Sequence, residues 1–323
     1  MTARVLMFIV SSVLWLAAGT AGAAGFPDRP VKLVVAYPAG GAVDAIGREL
    51  ATSLSGVWGQ PVVVENRPGA TGSVGAQAVL SAPPDGYTLL LTASAPVALV
   101  PALAAKPPHD FLSEFVPITT VATWDLILVV QPSLPVNDVK GLIALAKSSG
   151  NQLTYASAGN GAVNHIAGAV FAKMSGADMV HIPYKGDGPA VTDLLAGRVT
   201  MSFLSSQVAL PQIKAGRLKA LAIAGPSRLP VLPEVPTMVE AGVKDFEFSA
   251  WTGLFGPASM PAPIVQDVQV AVARAMNRDD VRNRLLQTGS LVQTSTSGLF
   301  AQRIRREIAK WRSFVQLTGI KAD

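Results

Sequence analysis

From Val31 onward the chain alternates short apolar runs with longer amphipathic ones. "VKLVVAY" is followed by "DAIGRELATSLSGVW", "PVVVEN" by "GSVGAQAVLSA", and "YTLLLTA" closes the first set. The rhythm resumes with "KGLIALAKSSG", "LTYASA", "NHIAGAVFAKMSG", "DMVHIPY", "GPAVTDLLAG", "VTMSFLS", "LPQIKAG" and "LKALAIAG". β-type runs alternating with helical periods predict an α/β fold, a mixed and mostly parallel sheet flanked by helices. One sheet holding all of them would be unusually wide, so the pattern predicts two domains. Two segments break the rhythm, Phe115 to Pro132 and Phe246 to Pro257, each a long β-type run without helical period. Extended chain passing straight from one sheet into another has this form. They read as two interdomain crossings, giving a discontinuous first domain, 26–124 plus 250–323, and a second at 125–249. Two crossings beside a cleft make a hinge.

The first residues carry a different pattern. Arg4 precedes the apolar run "VLMFIVSSVLWLAA", and the small residues "GTAGAAG" follow. That layout is an export signal, here 1–24, with cleavage expected near Ala23 or Ala24. The run is shorter than the roughly 20 residues a spanning helix needs. "TWDLILVVQPSLP" does not span either, being broken by Asp125, Pro132 and Pro135. The chain has no cysteine, which removes a lipid anchor, disulfides, zinc–thiolate sites and thiol nucleophiles. The expected location is the periplasm.

Composition changes the picture little. The 323 residues are 50% hydrophobic and 15% charged, enough for two ordinary cores and unlike a disordered chain. The net charge of +5 is scattered except in "RIRREIAKWR". There Phe300, Ile304, Ile308, Trp311 and Val315 form the apolar stripe of an amphipathic helix. Its arginines serve as a solvated face or as a docking surface. No nucleic-acid recognition motif occurs, so no nucleic-acid partner is expected.

Two glycine turns carry the candidate chemistry. "YPAGGAVDAIG" and "SAGNGAVNHIA" share G-A-V-[D/N]-x-I, at Gly41 to Ile46 and Gly161 to Ile166. Each follows a β-type run and opens a helix, one per domain. Ligands of open α/β sheets sit beyond the carboxyl ends of the strands. A helix N-terminus there offers unpaired N–H groups and partial positive charge, and glycine lets a ligand approach the backbone. Two such ends facing one cleft would clamp an acid; the alternative is that the glycines merely make tight turns. Asp44 would oppose an anion if it pointed inward, so it is expected to bind backbone N–H groups or cap its own helix. His165 can donate to a carboxylate or be structural.

Enzyme motifs fail in turn. No Gly-Lys pair exists for a phosphate cradle, and Asn164 occupies the last glycine position of a dinucleotide fingerprint in "GNGAVN". "TGSVG" has Thr71 where a nucleophile elbow needs glycine. His109, His165 and His181 have no metal-ligand spacing. Neither an enzyme nor a resident cofactor or metal is expected. The alternatives are an exported α/β enzyme acting on a small acid and a ligand-sensing co-receptor for a membrane kinase.

The segments "PVKLVVAYPAGGAVDAIGREL", "GQPVVVENRPGATGSVGA", "APPDGYTLLL", "LTYASAGNGAVNHIAG", "VHIPYKGDGPAVTDLLAGRV", "LPEVPTMVEAG" and "EIAKWRSFVQLTGIK" resemble the substrate-binding proteins of tripartite tricarboxylate transporters, the Bug family. The resemblance runs through the chain after the leader. It implies a monomeric periplasmic binding protein of Venus-flytrap form, type II-like. Its ligand would be a small organic carboxylate, and its partners membrane transporter subunits of that type. It places ligand contacts at Tyr37, Pro38, Ala39, Gly40, Gly41, Ala42 and Asp44, and at Ser157, Ala158, Gly159, Asn160, Gly161, Ala162 and His165, largely through backbone groups. Thr92, Ala93 and Ser94, with Ser205 and Ser206, are implied to line the cleft. The chain departs from the family pattern at Ala39, Val100, Ala162, "FLSSQ" and Asp187. The clamp is therefore expected to be kept while recognition of the rest of the ligand has changed. Asp187, if it faces the cleft, would favour an amine- or hydroxyl-bearing ligand.

Neither turn contains Lys or Arg. Hydrogen bonds to a charged group contribute roughly 1.5–3 kcal/mol each, so four give about 6–12. Association costs at least ~4 kcal/mol and micromolar affinity needs about 8. Domain closure that excludes water is expected to supply the difference.

Overall fold

The computed structural model describes residues 25–104, 106–148 and 153–318. The leader read at 1–24, with Ala23 and Ala24, lies outside the described residues. The first strands and helices follow the apolar runs closely: β1 (Val31–Val35), α1 (Ala42–Trp58), β2 (Val62–Asn66), α2 (Ser73–Leu80) and β3 (Thr88–Ala93). A π-helical turn, Ala95–Leu99, and the short α3 (Val100–Leu103) lead to β4 (Phe115–Val130). The second set is α4 (Val139–Ser148), β5 (Leu153–Ser157), α5 (Val163–Ser175), β6 (Met179–Pro183), α6 (Asp187–Leu195), β7 (Met201–Ser205), α7 (Ser206–Lys214) and β8 (Lys219–Ile223). The chain returns through β9 (Ser249–Pro257) and ends in α8 (Ala262–Met276), α9 (Asp279–Gln287), β10 (Ser290–Val292) and α10 (Ser297–Thr318).

The strands run in the order β2-β1-β3-β9-β4-β7-β5-β6, with β8 and β10 also paired to β4. β1 pairs parallel with β2 and β3, and β5 parallel with β6 and β7. Every pairing of the returning strands is antiparallel: β3 with β9, and β4 with β7, β8, β9 and β10. Parallel neighbours come from helical crossovers, whereas β4 and β9 pass between sheets without a helix to reverse them.

β4 joins the two halves. Phe115 to Asp125 pairs with β9, and Leu126 to Val130 pairs with β7. The change of partners falls between adjacent residues, and two register shifts, at Pro117/Thr119 and Thr120/Ala122, bend the strand just before it. Its sixteen residues are almost all buried, which is why the run shows no polar alternation.

Three apolar clusters follow from this layering. One, containing Leu33, Ile46, Leu50 and Val272 on one side and Val170, Phe171 and Phe203 on the other, is continuous through Trp124 and Leu126. The opposite face of the first sheet packs Val34, Val79, Trp251, Phe255, Phe300 and Ile304. The opposite face of the second packs Ile127, Leu194, Leu204 and Leu210. The stripe on α10 thus docks through Phe300 and Ile304, while Arg305 and Arg306 stay exposed. No helix among the described residues is long and apolar enough to cross a membrane.

Candidate functional site

α1 and α5 both begin without a side-chain cap, because their N-cap residues are Gly41 and Ala162. An uncapped helix leaves its first-turn N–H groups without intrahelical partners. Ala42 and Val43 of one helix, and Val163 and Asn164 of the other, line a single cavity of about 630 Å³. The two turns therefore face each other across one space. Gly40 and Gly161 hold φ of +83° and +75°, left-handed values that suit glycine and set each helix start.

The domains touch around the cavity. Thr71 Oγ1 donates to the Asn160 carbonyl at 3.3 Å. A Cβ on Gly186 would lie 3.2 Å from Pro38, and one on Gly41 would lie 3.8 Å from Asp187 Oδ2.

Of the residues named from sequence, Tyr37, Pro38, Ala39, Gly41, Ala42 and Ala93 line the cavity from the first domain. Ala158, Gly159, Asn160, Ala162, Asp187 and Ser205 line it from the second. Gly40 is exposed at the bend of its turn, and the others stand behind this wall. Asp44 is buried, and its carboxylate accepts from the Gly40 amide (2.9 Å), Arg48 Nε (2.9 Å) and Asn66 Nδ2 (2.8 Å). Burial alone would raise its pKa, but Arg48, the Gly40 amide and Asn66 outweigh it and hold the carboxyl below the usual range. His165 Nδ1 accepts from the Gly161 amide at 3.1 Å, and its ring stacks on His181 with centroids 4.0 Å apart. Ser206 Oγ donates to the Gly289 carbonyl at 2.9 Å. Thr92 and Ser94 are buried beneath the cavity lining.

The second turn is wired inward more than its glycines suggest. The Ala158 amide donates to Asn164 Oδ1, that of Gly159 to Ser157 Oγ, and that of Ala162 to the Gly159 carbonyl. Ser157 Oγ also lies 2.6 Å from His181 Nε2. These three amides, with that of Gly161 on His165, are thus spent within the turn and its helix start, and the first turn of α5 supplies donors for a ligand.

Sequence reasoning missed part of the wall. Pro68 to Gly72, Trp124, Leu126, Lys185, Gly186, Gly188 and Pro189 also line the cavity. "RPGATG" carries a signal: Ala70 and Thr71, at φ of +44° and +50°, sit in a sharply turned loop that aims its backbone at the cleft. Trp124 carries none, since it sits inside an unbroken apolar run.

Two buried side chains of the wall have no hydrogen-bond partner: Trp124 Nε1 and Ser205 Oγ. Their residues are 8% and 2% exposed, so bulk water does not satisfy them. Asp187, at the start of α6, is partly exposed, receives Asn164 Nδ2 at 3.1 Å, and is pushed up to about 6 by burial. Burial likewise pushes the Tyr37 phenol well above its usual value; the Thr92 hydroxyl opposes this and the Asp187 charge adds to it. Among the described residues no three His, Asp or Glu side chains converge as a metal site.

Comparison with known proteins identifies the family and the fold. The family described as tripartite tricarboxylate transporter family receptor matches residues 46–320. Protein BugT of Bordetella pertussis is 35% identical, covering 92% of this chain and 91% of its own length. The solved structure of Rpa4515 of R. palustris with adipate superposes with a TM-score of 0.88 at 30% identity, covering 92% of this chain and 99% of that one. MatC (Rpa3494) from Rhodopseudomonas palustris, with bound malate, gives 0.84 at 33% identity, covering 90% and 100%. The chain belongs to the tripartite tricarboxylate transporter receptor family.

Proposed function

We propose that this chain is a periplasmic solute-binding receptor whose two domains, 26–124 plus 250–323 and 125–249, close on a small organic carboxylate. It would present that ligand to the membrane subunits of a tripartite tricarboxylate-type transporter. The observation that carries the reading is the cavity between two uncapped helix N-termini, lined also by Trp124 and Ser205, whose buried Nε1 and Oγ have no partner. Amide groups at helix starts favour negative charge, and a buried donor without a partner costs about 1–3 kcal/mol until something accepts from it. A carboxylate oxygen does so. The ligand contacts are then the Pro38–Val43 and Ala158–Asn164 turns, the Pro68–Gly72 loop, Trp124, Asp187 and Ser205. Gly40, Asp44, Ser157, Gly161 and His165 shape the turns, and Thr92, Ser94 and Ser206 support the wall. The adipate and malate held by its relatives are carboxylates of suitable size for a space of about 630 Å³.

The test is a thermal-shift screen of small organic acids, followed by solution scattering on the best binder. A ligand at about one hundred times its Kd stabilises the native state by ~2.7 kcal/mol. Stabilisation by at least one acid, with a smaller radius of gyration in its presence, is the expected result. A panel that shifts nothing would overturn the proposal.

A further inference from the structure

The cavity wall holds unmet hydrogen-bonding groups of two opposite kinds. Trp124 Nε1–H only donates, and Ser205 Oγ–H stands with it as an unpartnered donor. Both residues are more than nine-tenths buried and line the cavity. The acceptor is Asp187. Its Oδ1 takes one hydrogen bond, from Asn164, and its Oδ2 faces the Gly41 turn of the opposite domain.

Asp187 does not behave as a helix cap. It opens α6, but the N-cap is Gly186 and no side chain bonds the helix end. A capping carboxylate is stabilised in its charged form, whereas here burial dominates and drives the carboxyl up to about 6, with no cation acting on it. The other titratable groups at the cavity are the Tyr37 phenol, which raising its own pKa keeps protonated, and Lys185, which is exposed at the rim. At neutral pH the site therefore holds a negative charge that the protein itself leaves unneutralised. A purely anionic ligand would meet like charge in a confined space.

We infer that the ligand is an amino-carboxylate: its cationic nitrogen pairs with Asp187, and its carboxylate accepts from Trp124 Nε1, Ser205 Oγ and the first-turn amides of α1 and α5. This rests on the receptor reading above and narrows its substrate class. A ligand with both groups satisfies every unmet donor and acceptor on the wall at once. A dicarboxylate could satisfy Asp187 only by protonating it, and that alternative has the opposite pH dependence.

The experiment is calorimetric titration of the wild-type chain and of Asp187→Asn at about pH 7.5 and about pH 5, either side of the carboxyl's titration. The probes are matched sets: succinate, malate and aspartate; adipate and 2-aminoadipate; valerate and 5-aminovalerate. In at least one set the amino member is expected to bind about 100-fold tighter than its parent at the higher pH. It should weaken toward pH 5, as Asp187 gains a proton and its charge is lost. Asp187→Asn should abolish the preference and leave the parent acid as strong or stronger, with thermal unfolding confirming that the variant is folded. Trp124→Phe, which removes the donor and part of the ring that carries it, should weaken amino and parent acids alike by about tenfold, with thermal unfolding confirming that it is folded.

If parent acids bind as well as their amino counterparts at pH 7.5, or if the amino members tighten toward pH 5 in the wild type, the inference falls while the receptor reading stands. Where aspartate is the preferred amino member, malate binding as tightly overturns the requirement for a cation. If no probe binds, the receptor reading itself falls and the inference goes with it.

Discussion

The turns before α1 and α5 have nearly the same sequence and opposite electrical wiring. In the first, the fourth residue of the shared pattern is Asp44, which folds back onto the Gly40 amide and is neutralised by Arg48. In the second, the same place holds Asn164, whose amide bridges the Ala158 N–H and the Asp187 carboxylate. The acid beside the cleft therefore comes from a different element, α6, and has no arginine. The first turn hides its own charge behind the wall, and the second holds, through Asn164, a charge that α6 places on it. Similar backbone geometry at two helix starts fixes where amides point, but the partner of the fourth side chain decides whether the site is neutral or charged.

The largest expected difference between the turns lies in how tightly each helix approaches its sheet. A Cβ on Gly168 of α5 would collide with the Tyr155 ring, which is itself stacked on His181 and cannot swing away. On Gly47 of α1 it would meet Val35 Cγ2 at 3.0 Å and Leu91 Cδ2 at 3.1 Å, the ends of side chains. Gly168→Ala should cost about 3 kcal/mol of unfolding free energy, near the upper end of overpacking penalties. Gly47→Ala should stay within about 1 kcal/mol, since alanine's helix propensity offsets the squeeze. Urea unfolding compares the two, and equal losses would show that the helices are seated alike.

A smaller effect separates the two acids by sign. Asp187 has a raised pKa in the folded chain, so its unfolded form loses a proton more readily. Unliganded stability should fall as pH rises from about 4 to about 6 and carry that penalty above it. Asp187→Asn should thus stabilise the unliganded protein at pH 7 by about 2–3 kcal/mol, with the gain vanishing below about pH 4. Asp44 has a lowered pKa, and its contribution is present above the unfolded value and lost as pH falls through the folded one. Asp44→Asn should destabilise by about 1–2 kcal/mol near neutrality and less in acid. Urea midpoints of both variants across this range measure the contrast. Shifts of the same sign would break it.

The smallest effect concerns the contact that joins the turns. Thr71→Ala removes the hydrogen bond to Asn160 across the cleft and nothing inside either turn. Ligand dissociation should quicken about two- to fivefold, as expected for a partly exposed bond of roughly 0.5–1 kcal/mol. Stopped-flow displacement would register it, and an unchanged off-rate would mean that this contact does not hold the domains closed.

Much of this molecule is legible along the chain. Strands β1 to β3 and β5 to β8 match apolar runs, and β4 and β9 match the two runs without helical period, because a strand buried on both faces has no polar position to alternate with. The uncapped starts of α1 and α5 follow from Gly41 and Ala162, residues that offer no side-chain oxygen. These are local consequences of residue type and spacing, and sequence alone determines them.

What the tertiary structure decided is which polar groups remain unspent. Ser157, two residues before Gly159, is a local signal for the bond to its amide, but nothing in the sequence announces that His165 Nδ1 receives the Gly161 amide instead of facing the cleft. Trp124 looks like one more core residue until β4 changes partners beside it and brings its side chain to the cavity with its N–H buried and unpartnered. Asp187 and Gly41 are far apart in the chain and meet only when the domains face each other. A hydrogen-bonding group's availability depends on every neighbour it has in space. Periodicity records only which side of its own element a residue occupies, so it locates the wall of the site but not the charges and donors left open on it.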